Sequence, residues 1–179
     1  MISGRVWKFG DNINTDLMLP GAFLFASEAE QMRVVFSANR PGWVDAVRPG
    51  DIIIGGTNFG TGSNRPAIRS FRNLGIAAII AESISSLFFR DCVNYGMIAL
   101  ECPGIAAAFA EGDTARVSLD DFTVRNARSD VTLAAVPVPD RLLSVMRGGG
   151  VFPLLEAEGV LSPPRQATAA TDSSPAPVR

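Results

Sequence analysis

The feature that most constrains this chain is an alternation of apolar runs with helix-like segments over residues 51–102. Three runs rich in apolar residues are typical of buried strands, at 51–56, 76–83 and 97–102. Two segments with helical apolar spacing separate them, at 64–74 and 84–96, and glycines Gly75 and Gly96 end both. The alternation predicts an α/β fold with a parallel βαβαβ core and right-handed crossovers.

Shorter strands are predicted on both sides of this core, at 4–9, 114–119, 122–126 and 130–138. Turn residues separate the last three, which predicts an antiparallel or barrel-like second β layer. Helices are predicted around 28–37 and at 140–150. From Ser162 the chain has no apolar periodicity and four prolines. We therefore predict one domain over 1–161 and a disordered tail over 162–179.

The net charge and the hydropathy of the chain argue against some classes of function. The formal net charge of −2 is unfavourable for binding nucleic acid or an anionic membrane. No apolar run approaches the ~20 residues that span a bilayer, and the N-terminal segment lacks the apolar stretch of a signal peptide. We expect a cytoplasmic protein.

Histidine is absent, so any general base must be another group. The two cysteines, Cys92 and Cys102, cannot supply the usual ligands of a structural zinc site or an iron–sulfur cluster. We expect both to be buried thiols and expect this chain to bind no metal.

A glycine-rich loop, GGTNFGTGSNR at 55–65, follows the first buried strand of the core. In open α/β sheets ligands bind beyond the carboxyl ends of the strands, and glycines let backbone amides approach an anion closely. Arg65 can hold a carboxylate or phosphate through two parallel hydrogen bonds. The loop matches neither a P-loop nor a dinucleotide fingerprint. An alternative is that the glycines only build a turn and that Ser63 caps the following helix.

The stretch NFGTGSNR, followed by GIAAIIAESISSLFFRDCVNYGM, resembles the small subunit of the isopropylmalate dehydratases, the swivelling domain of the aconitase superfamily. The upstream NINTDLMLP resembles the N-x-D-T-D segment of that family. The later GDTARVSLDDFTV and LLSVMRGGGVFPLL also fit it. The resemblance covers roughly residues 4–160, and two separated motifs in the right order make it specific.

The resemblance implies a swivelling β/β/α domain and a partner, a large subunit that carries a [4Fe–4S] cluster. The active site would lie between the two chains. The implied reaction is dehydration and rehydration of a hydroxy dicarboxylic acid, either 3-isopropylmalate in leucine biosynthesis or a related alkyl-substituted malate in degradation. A non-catalytic anion-binding or regulatory module derived from the same domain is the alternative.

The resemblance also implies roles for individual residues. Ser63 matches the catalytic serine, which takes a proton from carbon and must be stabilised as an alkoxide by helix-start amides and a nearby guanidinium. Arg65 matches the arginine that binds substrate carboxylate, and Gly62 precedes the serine in the same loop. Asn64 replaces the usual second serine but can still donate a hydrogen bond. Asp16 matches the last aspartate of the N-x-D-T-D segment; alternatively it forms an Asx-turn.

The chain departs from the family pattern at two places. Pro66 and Ala67 stand where glutamate and histidine or glutamine are usual. Phe25 lies in a loop where relatives that act on tricarboxylates tend to carry an arginine, and a buried carboxylate without a partner is costly. We therefore expect Phe25 to face an alkyl group of the substrate. The alternative is that the loop is shifted and Phe25 belongs to the core.

Overall fold

The computed structural model describes residues 1–161; the predicted disordered tail lies outside the described residues. The strands are β1 (Ile2–Lys8), β2 (Ile52–Gly55), β3 (Ala78–Ala81), β4 (Ala99–Glu101), β5 (Thr114–Ser118), β6 (Thr123–Asn126) and β7 (Thr132–Ala134). The α-helices are α1 (Thr15–Met18), α2 (Glu28–Arg33), α3 (Trp43–Ala46), α4 (Ala67–Asn73), α5 (Ser86–Asn94), α6 (Ile105–Ala108), α7 (Asp140–Arg147) and α8 (Val151–Ala157). A 3-10 helix spans Gly21–Phe23.

The strands form a sheet of order β4-β3-β2-β1-β5-β6-β7. The strands β1 to β4 are parallel, and β2, α4, β3, α5 and β4 form the predicted βαβαβ unit. Every residue of β2 and β3 is buried, as expected for parallel strands covered on both faces. The predicted fold class is confirmed.

Strand β1 joins the parallel part of the sheet to the antiparallel part. Its last residues, Val6–Lys8, pair in parallel with β2, whereas Ile2–Arg5 pair antiparallel with β5. The strands β6 and β7 continue the antiparallel part, so the strands that we predicted as a second β layer extend the same sheet beyond β1. In β5, buried Ala115 and Val117 alternate with exposed Thr114 and Arg116, as in a sheet with one solvated face.

A chain of aromatic rings fixes the loops that follow β1 and β2. Phe9 stacks on Phe36, with 4.2 Å between ring centroids, and Phe36 packs against Phe71 of α4 at 5.4 Å. Phe59 is fully buried and lies edge-on between Phe9 and Phe88 of α5. Buried aromatic pairs of this kind stabilise a fold beyond the area that they bury. The glycine-rich loop is therefore anchored to the core at its midpoint.

Two predicted helices have different bounds in the structure. The segment predicted around 28–37 is helical only over α2, because the chain turns at Val34 and Phe36 has φ +55°. The segment predicted at 64–74 is helical only from Ala67, because Pro66 occupies the N-cap position. Within the described residues, none of these helices is long and apolar enough to cross a membrane.

Replacing Gly60 by alanine tests how tightly the loop packs. Gly60 has φ +78°, and a Cβ there would lie 2.2 Å from Cγ of Phe88. We expect Gly60→Ala to lower the free energy of unfolding by about 3 kcal/mol, since backbone strain and overpacking add. Urea denaturation of the purified chain measures this loss.

Gly112→Ala is the matched control, because Gly112 has φ +81° with no atom within 4 Å of the added Cβ. It carries only the backbone cost, about 1 kcal/mol. Equal losses in the two variants would contradict the packing account.

Candidate active site

Two loops meet at the carboxyl edge of the parallel sheet, because β1 and β2 are parallel neighbours. Backbone hydrogen bonds join them: Asn12 N–H donates to the Thr57 carbonyl, Gly60 N–H to Ile13, and Thr15 N–H to Thr61, each at 2.8 Å. The Asp11 carboxylate accepts from Thr57 N–H at 2.7 Å. The NINTD and glycine-rich motifs thus form one surface.

Ser63 lies on this surface with its side chain available. The residue is exposed, and its hydroxyl makes no hydrogen bond with any other described residue. Its carbonyl accepts from the Thr15 hydroxyl at 2.6 Å. Gly62 has φ +104°, and a Cβ there would lie 3.0 Å from that hydroxyl oxygen. Gly62 therefore lets the chain turn close to Thr15 and present Ser63 outward.

The alternative that Ser63 caps a helix is wrong. Helix α4 begins at Ala67 after Pro66 and has no side-chain cap, with Asn64, Arg65 and Pro66 between Ser63 and the first helical residue. The helix-start amides that we expected to stabilise a Ser63 alkoxide are consequently displaced along the chain. The positively charged residue nearest to Ser63 in the sequence is then Arg65, two residues later.

Arg65 and Asp16 form a salt bridge between the two loops. The Arg65 side chain is only 16% exposed, whereas that of Asp16 is 57% exposed. A Cβ on Gly21 would lie 3.1 Å from Nη1 of Arg65, so Gly21 makes room for the guanidinium. The Asx-turn alternative for Asp16 is wrong: Asn14 caps α1, accepting from Leu17 N–H at 2.9 Å.

The side chain of Asn64 forms a hydrogen bond within the protein although the residue is exposed. Its Nδ2 donates to Oδ1 of Asp91 on α5 at 3.3 Å. Asp91 is buried, and burial raises the pKa of its carboxyl above the ordinary value, against the opposing effects of Arg90 and of the Asn64 hydrogen bond. This pair was not predicted from the sequence.

Phe25 is not a core residue, so that alternative is wrong. Its side chain is 97% exposed, beyond the 3-10 helix that begins beside Arg65. The backbone around it is fixed, because the buried Gln31 amide donates to the carbonyls of Phe23, Leu24 and Ala26. The fold holds this segment in place and presents the ring to the outside.

The cysteines do not suit a cluster on this chain. Both are buried and free, as expected. Burial raises the pKa of Cys92 well above its ordinary value and that of Cys102 to about 11. Two cysteines are also fewer than the usual ligands of a cluster. Among the described residues, no three His, Cys, Asp or Glu side chains are grouped to hold a metal ion.

Three site residues were missed from the sequence. Thr15 lies within the NINTD motif, so the motif could have indicated it, and Gly21 follows that motif closely. Asp91 lies 27 residues from Asn64, and only the packing of α5 against the loop brings the two together.

Residues 13–104, which include the glycine-rich loop, α5 and the first loop from Ile13 onward, match the family described as the Aconitase C-terminal domain. The chain belongs to this family. The resemblance seen in its motifs is confirmed.

Among curated relatives, the isopropylmalate/citramalate isomerase small subunit of Methanocaldococcus jannaschii is 37% identical over 87% of this chain and 94% of its own length. The 3-isopropylmalate dehydratase small subunit 1 of Methanopyrus kandleri is 36% identical over 89% and 95%. That of Deinococcus deserti is 38% identical over 86% and 87%. The chain is thus one of the small subunits of isopropylmalate dehydratase-like enzymes, a family named for dehydratases and isomerases.

A solved structure agrees with the fold of this aconitase C-terminal domain. The crystal structure of 3-isopropylmalate dehydratase from Methanocaldococcus jannaschii has a TM-score of 0.83 and 27% sequence identity, covering 89% of this chain and 95% of that one.

Proposed function

We propose that this chain is the small subunit of a [4Fe–4S]-dependent hydro-lyase that dehydrates and rehydrates a hydroxy dicarboxylic acid. The substrate is 3-isopropylmalate or a related alkyl-substituted malate. The observation that carries the proposal is the joining of two loops that present an exposed Ser63 beside the Arg65–Asp16 pair. Ser63, Arg65 and Asp16 all lie within the matched family region.

Arg65 binds a carboxylate of the substrate. The salt bridge to the half-exposed Asp16 and the close contact with Gly21 hold the guanidinium in one orientation before substrate arrives. A guanidinium has five N–H donors, so it can keep a hydrogen bond to Asp16 and still donate to a substrate carboxylate. Preorganisation of this kind lowers the entropy cost of binding.

Ser63 accepts the proton that the reaction removes from carbon. A free serine hydroxyl is far too weak a base, so its ionised form must be stabilised electrostatically in the assembled site. Arg65, two residues along the loop, supplies one positive charge from this chain. Because Ser63 is exposed in the single chain, a second chain must cover it to exclude water and strengthen these interactions.

The large subunit supplies that cover and carries the cluster. Support comes from the relatives, which are named as small subunits, and from the two buried cysteines here, which are fewer than the usual ligands of a cluster. This chain contributes Ser63, Arg65 and Asp16 from its side of the interface.

Phe25 contacts the alkyl group of the substrate. Its ring is almost fully exposed on a backbone that Gln31 holds in place, so the ring is available to contact a bound molecule. An apolar ring stabilises an alkyl group by burying it and does not pair with a third carboxylate.

Ser63→Ala tests the assignment of the base. With the large subunit present, we expect kcat to fall about 10³-fold or more, because alanine has no hydroxyl to accept the proton. Steady-state turnover of 3-isopropylmalate measures the loss, and size-exclusion chromatography shows that the complex still forms.

Ser144→Ala, at an exposed position of α7, is the control and should retain wild-type turnover. Turnover near the wild-type level in Ser63→Ala would refute the base assignment. It would favour the non-catalytic anion-binding module instead.

Phe25→Arg tests the substrate class. We expect the ratio of kcat/KM for a tricarboxylic substrate to that for 3-isopropylmalate to rise on the order of tenfold or more, because the new guanidinium pairs with the third carboxylate. Phe152→Arg, at an exposed phenylalanine of α8, is the matched control. An unchanged ratio in Phe25→Arg would exclude Phe25 from the substrate site.

A further inference from the structure

Asp91 is a buried carboxylic acid that the proposed reaction does not use. It lies on α5 with 6% of its surface exposed. In the part of the chain that the structure describes, its only side-chain hydrogen-bond partner is Asn64, at 3.3 Å. A buried carboxyl group costs folding free energy unless its hydrogen bonds are satisfied, so its single partner has particular importance.

That partner stands between the two residues with proposed chemical roles. Asn64 directly follows Ser63 and directly precedes Arg65. On the other side of the same turn, the Thr15 hydroxyl holds the Ser63 carbonyl at 2.6 Å. The segment 62–65 is exposed or half-buried and lies outside regular secondary structure. Its side-chain anchors to the rest of the chain are thus Thr15, Asp16 and Asp91.

We propose that Asp91 is a positioning residue that sets the direction of the Ser63 hydroxyl and the Arg65 guanidinium through its hydrogen bond with Asn64. The inference rests on the proposed function and adds an internal support to that site. Asp91 touches neither Ser63 nor substrate; it acts through Asn64. Misplacing a reacting group by about 1 Å can lower a rate on the order of 100-fold, so one anchoring bond is enough to matter.

A direct contact of Asn64 with substrate has a different kinetic consequence. If Asn64 binds the substrate in its ground state, Asn64→Ala raises KM, and Asp91→Ala does not reproduce that change. If Asn64 and Asp91 act as one anchor, both variants lower kcat with little change in KM. The two variants together then cost no more than either alone, because residues that act as a unit are not additive.

The test is a double-mutant cycle on the enzyme reconstituted with its large subunit. We expect Asn64→Ala and Asp91→Ala each to lower kcat about 10- to 100-fold with KM within about twofold, and the double variant to match the singles. Asp91→Asn keeps an acceptor oxygen and should restore most of the rate. Asn94→Ala, at an exposed asparagine of α5, is the control and should behave as wild type.

Hydrogen–deuterium exchange of the small subunit gives a readout that needs no activity. We expect the amides of 62–65 to exchange faster in Asn64→Ala and Asp91→Ala, and at the wild-type rate in Asn94→Ala. Additive losses in the cycle, a raised KM in Asn64→Ala alone, or unchanged exchange would each overturn the inference. Should Asp91→Ala fail to fold, Asn64→Ala alone decides, because Asn64 is exposed; wild-type kcat and exchange there would overturn it. Failure of the proposed function shows separately, as full turnover in Ser63→Ala.

Discussion

The parallel pairing of β1 with β2 is the interaction on which the site depends. Val6, Trp7 and Lys8 pair with Ile52, Ile53 and Ile54, so both strands end at the same edge. The loops that follow them are then joined by backbone hydrogen bonds and by the buried ring of Phe59. Ser63, which comes from the second loop, is held by Thr15 of the first. If β1 separated from β2, the NINTD motif and the glycine-rich loop would no longer be held against each other.

The architecture could be predicted from the sequence because the spacing of apolar residues follows which side chains are buried. The fully buried strands β2 and β3 appear as unbroken apolar runs, and the glycines that follow α4 and α5 marked their ends. The start of α4 was misplaced, since the apolar spacing begins near Asn64 while Pro66 sets the first turn. The sequence could not decide whether Phe25 is exposed, because phenylalanine is usually buried. Its exposure depends on the Gln31 hydrogen bonds that hold the backbone of its segment, and these are visible only in the structure.

Three residues of the candidate site share a property that the motifs alone could not show: this chain presents them but does not enclose them. Ser63 and Phe25 are exposed and Asp16 is more than half exposed, whereas the Arg65 side chain is only 16% exposed and is held by its carboxylate partner. Electrostatic stabilisation is weak in bulk water and strong in a closed site, so this geometry is consistent with the proposal that the site works only when a second chain covers it. The supports behind these residues, Thr15, Gln31 and Asp91, are buried in this chain.

The most direct measurement is a crystal structure of the chain in complex with its large subunit and a bound alkyl-malate. The account predicts that the Arg65 guanidinium lies within hydrogen-bonding distance of a substrate carboxylate and that the Ser63 hydroxyl faces the carbon that loses its proton, both at the subunit interface. A complex in which Ser63 faces solvent, away from the bound diacid, would contradict it.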